Sequence, residues 1–244
     1  GPVYTYYGLT NFFQNHRMYI RSYDPMQLVG NTRKNFTVVK EGKCRPYMTI
    51  NNKIIAPCGT IANSLFNDSF HLFYLKESSR KKVELLNYGL AWPTDKLLKY
   101  SNPSRFPHDP AQAFSETIPP PHWKRPVYHL DQFNASNNGY VNENLIVWMR
   151  NSFLPDFIKT HGVLKPDGIF NDGLPAGNYS LLINYAYPVF RFNGTKRFII
   201  TNTFSLGASN YFILFFFCFV SILCFIISFA LLYLRNKFHA NSSV

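Results

Sequence analysis

Residues 211–234 read YFILFFFCFVSILCFIISFALLYL, twenty-four positions without a charged side chain, seven of them Phe. At about 1.5 Å of rise per residue, a helix of this length covers roughly 36 Å, more than the approximately 30 Å hydrocarbon core of a bilayer. A core helix of a soluble domain seldom runs past about twenty residues with no polar face. The stretch therefore reads as a transmembrane helix, and a fully soluble protein is excluded. Arg235, Lys237 and His239 follow it directly, whereas Ser205–Asn210 carries no charge. The positive-inside bias then puts the C-terminus in the cytoplasm. The chain divides into an ectodomain at 1–205 facing the lumen or exterior, a span with its approach at 206–234 and a tail at 235–244. Gly1–Tyr7 holds neither a basic start followed by an apolar run nor an initiator Met, so a signal or an earlier span is expected upstream.

Working outward, the 244 residues are 46% apolar and 18% aromatic, which excludes a disordered chain. The formal charge is +12 with scattered basic residues, which argues against a disordered nucleic-acid-binding tail. Outside the membrane, 23 basic residues (the 25 of the chain less Arg235 and Lys237) face 13 acidic ones, so acidic partner loops or lipid headgroups are candidate neighbours. Arg80-Lys81-Lys82 is the one dense basic run and reads as a loop. In the ectodomain only Cys44 and Cys58 occur. Two thiols do not fill a four-ligand zinc site unless His or carboxylates join them. A disulfide is expected, worth about 3 kcal/mol for a loop of about fifteen residues, with two unpaired thiols as the alternative. Sequons at Asn35, Asn67, Asn134, Asn178 and Asn193 agree with export as glycosylation candidates.

Period-two alternation over Tyr179–Ala186 reads as a strand. Arg197–Phe204 reads as a second, and Asn193-Gly194 between them predicts a hairpin. Pro188 suggests an edge position or a bulge. Shorter strand candidates are Val3–Tyr7, Phe36–Val39, Lys53–Ile55, Phe70–Leu75 and Val127–Leu130, together an antiparallel β domain. The spacing of Leu145, Trp148, Met149 and Phe153 behind an Asn142 cap predicts a helix over Glu143–Ile158, ended or kinked by Pro155. The prolines of Ile118–Pro126 predict an extended connector. No nucleophile-elbow, zinc-protease, phosphate-loop or dinucleotide motif occurs. Gln14–Arg17 and the His71/Asp68 pair read as hydrogen-bonding clusters. No catalytic residue, metal or cofactor is expected.

Several strings do carry a resemblance. They are Tyr6-Tyr7-Gly8-Leu9-Thr10-Asn11-Phe12-Phe13-Gln14-Asn15-His16-Arg17, Ile55–Ser64 with Phe66-Asn67-Asp68, Ala91-Trp92-Pro93-Thr94-Asp95-Lys96, Asn142–Arg150, Leu174–Tyr179 and Asn184–Val189. In order and over nearly the whole chain, they resemble the cell division control protein 50 family, also called ligand-effect modulators. That resemblance implies a non-catalytic accessory subunit of a type IV P-type ATPase that moves phospholipids to the cytoplasmic leaflet. The implied fold is mainly β: an antiparallel β-sandwich-like ectodomain with a few short helices, between a first span upstream and the C-terminal one. It further implies a heterodimer with the catalytic subunit, contact with membrane lipids and support of the partner's folding and export. The setting would be the endoplasmic reticulum, Golgi, endosomal or plasma membrane. Tyr7, Asn11, Phe12, Asn15, His16, Arg17, Trp92, Asp95, Trp148 and Arg150, carried in these strings, are candidate partner contacts. The competing class is a membrane-anchored receptor or adhesion domain.

Overall fold

The structure, a computed structural model, describes residues 2–31, 42–76, 79–202 and 211–241, with side chains of the last helix described through residue 237. The Asn35 sequon, the Phe36–Val39 strand candidate, the last two residues of the Arg197–Phe204 candidate and the approach at 206–210 lie outside the described residues. The chain separates after Asn202 into two units.

The first unit is mainly sheet. Strand β1 (Val3–Leu9) turns Val3, Thr5, Tyr7 and Leu9 inward and leaves Tyr4 and Tyr6 half-exposed, the period-two pattern of a half-buried strand. It is central to a four-stranded antiparallel sheet, flanked by β10 (Lys196–Asn202) and β8 (Phe157–Leu164), with β6 (Leu85–Leu86) outside β8. Its first residue pairs with the last of β10, Val3 with Asn202, and Leu9 pairs with Lys196. A second sheet sets β4 (Ser69–Lys76) between β5 (Ser79–Val83) and β9 (Asn178–Asn184). A third joins β2 (Thr49–Ile50), β3 (Lys53–Ile55) and β7 (Thr117–Ile118); its β3–β7 pair is parallel, so the antiparallel expectation fails at that one pairing.

The two larger sheets meet through aromatic side chains. Phe70 of β4 lies 4.6 Å from Phe198 of β10 and 5.0 Å from His161 of β8 between ring centroids, and Tyr7 stacks on Phe66 at 4.0 Å. Nearer the Val3 end a smaller cluster gathers Val3, Leu72, Val83, Leu164 and Phe170.

Four expectations need correction. The strands on either side of Asn193-Gly194 do not pair: β9 belongs to the β4 sheet and β10 to the β1 sheet. The reason is a contact distant in sequence. Asp68 accepts hydrogen bonds from the Ala186 and Tyr187 amides, both 2.6 Å, and turns the chain out of β9 into a 3-10 turn at Val189–Phe192. Asn193 does adopt the left-handed conformation that its type tolerates, at φ 54°, but it links that turn to β10. The predicted long helix stops at Met149. Asn142 caps it as expected, its Oδ1 accepting from the Leu145 amide at 3.0 Å. Its far end is closed by Lys159, whose Nζ donates to the carbonyls of Val147, Trp148 and Arg150 at 3.0, 2.9 and 2.5 Å. Val127–His129 is a 3-10 turn, not a strand. Arg80-Lys81-Lys82 lies in β5, not in a loop.

Cys44 and Cys58 are joined as a disulfide with their Cα atoms 5.5 Å apart. The bond ends at a crowded junction: the Cys58 amide donates to Gln27 Oε1 at 2.8 Å. Gly59 follows at φ +99°, where a Cβ would sit 1.9 Å from the Ser22 carbonyl oxygen, so only glycine fits. Cys44→Ser is expected to remove about 3 kcal/mol, read as a lower denaturation midpoint of the purified chain under non-reducing conditions; an unchanged midpoint would deny the bond a stabilising role.

His161 is half-buried edge-on to Phe70, and its partial removal from water, with the charge of His71 adding, pushes its pKa down to about 4. An unfolded histidine titrates near 6.5. Between those values the unfolded chain holds a proton that the folded chain does not, so stability present above about pH 6.5 is lost as pH falls toward 4. The thermal midpoint should drop across that window, and His161→Leu should flatten the dependence; equal slopes in both proteins would contradict it.

The second unit contains one described helix, Tyr211–Asn241. Its stretch Tyr211–Lys237 is long and apolar enough to cross a membrane.

Candidate functional site

Two of the strings quoted above meet at a cleft of about 250 Å³. Trp92 precedes the helix Pro93–Lys99, whose Pro sits in the first turn where its missing amide costs nothing. The helix Glu143–Met149 lies alongside. Glu143 joins them: its Oε2 accepts from the Leu90 and Ala91 amides at 2.6 and 3.0 Å, and its Oε1 from Lys96 Nζ at 2.7 Å. Burial pushes this carboxyl up, but the Ala91 amide, Lys96 and the Leu90 amide together hold it below the usual carboxylate range. Asp95 accepts from Lys99 Nζ at 2.6 Å on one oxygen and from Arg150 Nη1 at 3.4 Å on the other. The Arg150 guanidinium then lies 4.7 Å over the Trp92 ring, which is 62% exposed. Cation–π stacking holds the Arg over the ring, and Trp and Arg are both residue types enriched at the energetic centres of protein interfaces.

The floor is unusual in holding Lys159, which is buried beneath Arg150. Burial, with the Arg150 charge adding, pushes its ammonium down to about 7. All three of its protons are directed at backbone carbonyls, so it fixes the end of the helix that carries Arg150 and does not offer itself to a ligand.

The N-terminal string forms a second ordered surface beside it. Asn11, at φ 57°, donates from its amide to Asp156 Oδ1 at 2.8 Å and from Nδ2 to the Phe192 carbonyl at 2.5 Å. Asn15 Nδ2 donates to the Phe153 carbonyl at 2.8 Å, and Gln14 Oε1, fully buried, accepts from the Ser152 amide at 2.9 Å. These bonds tie residues 11–15 to residues 151–156 and leave His16 and Arg17 exposed. Phe13 and Phe153 stand out at 54% and 85% exposure.

The candidate contact residues thus fall into two groups. Tyr7 and Trp148 are core side chains, Phe12 packs tilted against Trp148 and edge-on against Phe192, and burial drives the Tyr7 hydroxyl well above its usual pKa. Trp92, Arg150, Asn11, Asn15, His16 and Arg17 reach the surface, with Asp95 buried behind Arg150. Sequence reasoning missed Glu143 and Lys159. The signal for Lys159 was present: in Phe157-Ile158-Lys159-Thr160-His161 it shares the inward register of Phe157 and His161. Among the described residues, no group of three or more His, Cys, Asp or Glu side chains is placed to hold a metal ion.

Compared with known proteins, the sequence matches the profile of the LEM3 (ligand-effect modulator 3) family / CDC50 family over residues 1–241. Cell cycle control protein 50A of Rattus norvegicus is 41% identical over 247 aligned residues, covering 100% of this chain and 74% of the rat protein. Cell cycle control protein 50B of Homo sapiens is 42% identical over 242 residues, 97% of this chain and 68% of the human protein. A protein of Saccharomyces cerevisiae named phospholipid-transporting ATPase accessory subunit CRF1 is 35% identical over 217 residues, 85% of this chain and 49% of its own length. The chain therefore spans between about half and three-quarters of the length of these relatives. On the extent of the profile match and these identities, it belongs to the LEM3/CDC50 family.

Proposed function

We propose that this chain is a non-catalytic accessory subunit of a phospholipid-transporting P-type ATPase of the type IV class, acting as a heterodimer with the catalytic subunit. The observation that carries this is the likeness over 217 residues to the yeast protein named as such an accessory subunit. In this reading residues 1–205 face the exoplasmic side, 206–234 carry the span and 235–244 are cytoplasmic. The exposed sequons Asn67, Asn178 and Asn193, with Asn134, are then available to the lumenal glycosylation machinery. Asn35 is a fifth candidate.

The mechanism is thermodynamic. A subunit that binds the native form of its partner and not the misfolded form stabilises the native form by mass action, which supports folding and export. A permanent contact of this kind buries roughly 2,000 Å² or more. The Trp92–Arg150 pair and the surface of residues 11–17 are the proposed centres of the exoplasmic part. Within the bilayer, packing of Phe and small side chains such as Ser221, Ser228 and Ala230 contributes through shape.

Coexpressing a type IV ATPase with and without this chain tests the reading. Higher ATPase yield, export and lipid transport are expected in its presence. Equal values would leave the competing receptor or adhesion reading in place.

A further inference from the structure

Among the glycosylation candidates, Asn193 has neighbours of a particular kind. It is exposed and joins the 3-10 turn Val189–Phe192 to β10. The residues on both sides of it are locked to the start of the N-terminal string. Before it, the Phe192 carbonyl accepts from Asn11 Nδ2 at 2.5 Å, and the Phe12 and Phe192 rings lie 5.1 Å apart. After it, the Thr10 amide donates to the Thr195 carbonyl at 3.1 Å, the Thr195 amide donates to Thr10 Oγ1 at 2.8 Å, and the two hydroxyls share a hydrogen bond of 2.9 Å. A Cβ on Gly194 would overlap the Thr10 carbonyl and the Phe192 ring, so the two backbones already touch. Whatever Asn193 carries is therefore rooted beside exposed Asn11.

The other described sequons are engaged elsewhere. Ser69, two residues after Asn67, accepts from Asn184 Nδ2 at 2.9 Å; Ser136 donates to Asn134 Oδ1 at 2.6 Å; Asn178 pairs with Leu75 in the second sheet. N-linked transfer bonds Asn193 Nδ2 to the first sugar carbon, the amide losing a proton and the lipid-linked donor oligosaccharide losing its pyrophosphate carrier. Both Asn193 and Thr195 must be reachable at that moment. In the folded chain Thr195 is closed against Thr10, 185 residues earlier. Contacts so distant in sequence close late, so transfer precedes that closure, and chains that close first escape it. Two populations follow, one modified at Asn193 and one not.

We propose that an oligosaccharide on Asn193 and the catalytic partner exclude one another: the modified chain stays unassembled, and the assembled chain holds Asn193 bare. This rests on reading residues 11–17 as part of the partner contact. A glycan is bulky and solubilising. Rooted beside Asn11, it spreads over side chains that the partner would cover, and the core of a protein interface is packed at the density of an interior, which leaves no room for it. Occupancy at Asn193 thus sets what share of the chain joins a pump. Among the described residues, the bonds of Asn134 and Asn178 give those two sites no such position.

The test expresses the full chain with a type IV ATPase in cells that glycosylate, separates chain held by the pump from chain left free, and reads each sequon by glycopeptide mass spectrometry. The Asn193 glycan is expected in the free pool and depleted about tenfold or more in the held pool. Asn193→Asp removes the sequon at a residue type that still tolerates the left-handed conformation. It should raise the held share at an unchanged thermal midpoint. Equal Asn193 occupancy in the two pools, an Asn193 bare in both, or a held share that Asn193→Asp leaves unchanged overturns the proposal. A chain that no pump holds in any fraction overturns the accessory-subunit reading and the exclusion with it. That result differs from a held chain carrying the Asn193 glycan, which overturns the exclusion alone.

Discussion

Asp68→Ala is expected to cost about 3–5 kcal/mol of folding stability, because it removes one partner of a buried ion pair and leaves the other uncompensated. The Asp68 side chain is 1% exposed and that of Lys196 13%. One carboxylate oxygen accepts from Lys196 Nζ and the other from the Ala186 and Tyr187 amides. Lys196 Nζ also donates to the Tyr187 carbonyl at 2.9 Å and lies 3.2 Å over the Tyr185 ring. The pair thus joins the entry to β4, the exit from β9 and the start of β10, the point where the two larger sheets are tied together. Against a typical total of about 5–15 kcal/mol, the loss is large enough to reduce the yield of folded chain severely. Denaturation of the purified variant measures it, and the double variant Asp68→Leu/Lys196→Met should recover part of the loss because no charge is left buried. A single variant within about 1 kcal/mol of the parent would show that the pair does not join the sheets energetically.

Trp148→Ala should cost a similar amount, about 3–5 kcal/mol from lost burial and the cavity left behind. Trp148 is fully buried, and its ring lies between 5.8 and 6.5 Å from those of Phe12, Tyr187, Tyr7 and Phe157. Its Nε1 donates to the Ile61 carbonyl at 2.8 Å, so truncation also orphans a buried acceptor, worth about 1–3 kcal/mol. Trp148→Phe separates the two contributions, since it keeps most of the ring volume and loses only the hydrogen bond. The expected order of denaturation midpoints is parent, Phe, then Ala. Equal midpoints for Phe and Ala would mean that the hydrogen bond, not the packing, dominates. Because Ile61 lies just past Cys58, in the short helix Thr60–Asn63, this one side chain couples the segment that follows the disulfide to the Glu143–Met149 helix.

These two residues show what was legible in the sequence and what was not. The long apolar C-terminal helix, the disulfide pair, the Asn142 cap and strands β1, β3 and β4 could be read because each depends on short-range signals: an uncharged apolar run, a lone pair of cysteines, a capping residue, a period of two. Pairing of β1 with β10 and β8 joins residues 148 to 199 apart in the chain, and nothing local specifies it. The Asn193-Gly194 dipeptide announced a turn correctly but not which strands it serves, since Asp68, 128 residues from Lys196, decides that. Likewise, Asp68 was grouped with His71 by proximity in sequence, although His71 is neighbour to His161 in the fold. At the candidate site, Trp92 and Arg150 were marked out by the strings that carry the family resemblance. Glu143 and Lys159, which hold them in place, are ordinary charged residues whose burial only the fold reveals.

Purification of the full chain from its native membrane in mild detergent, with identification of whatever accompanies it in near-equal amount, addresses the central claim most directly. Retention of a large P-type ATPase through size exclusion is the predicted outcome. Recovery of the chain as a well-behaved single species, with no pump in any fraction, would contradict the account.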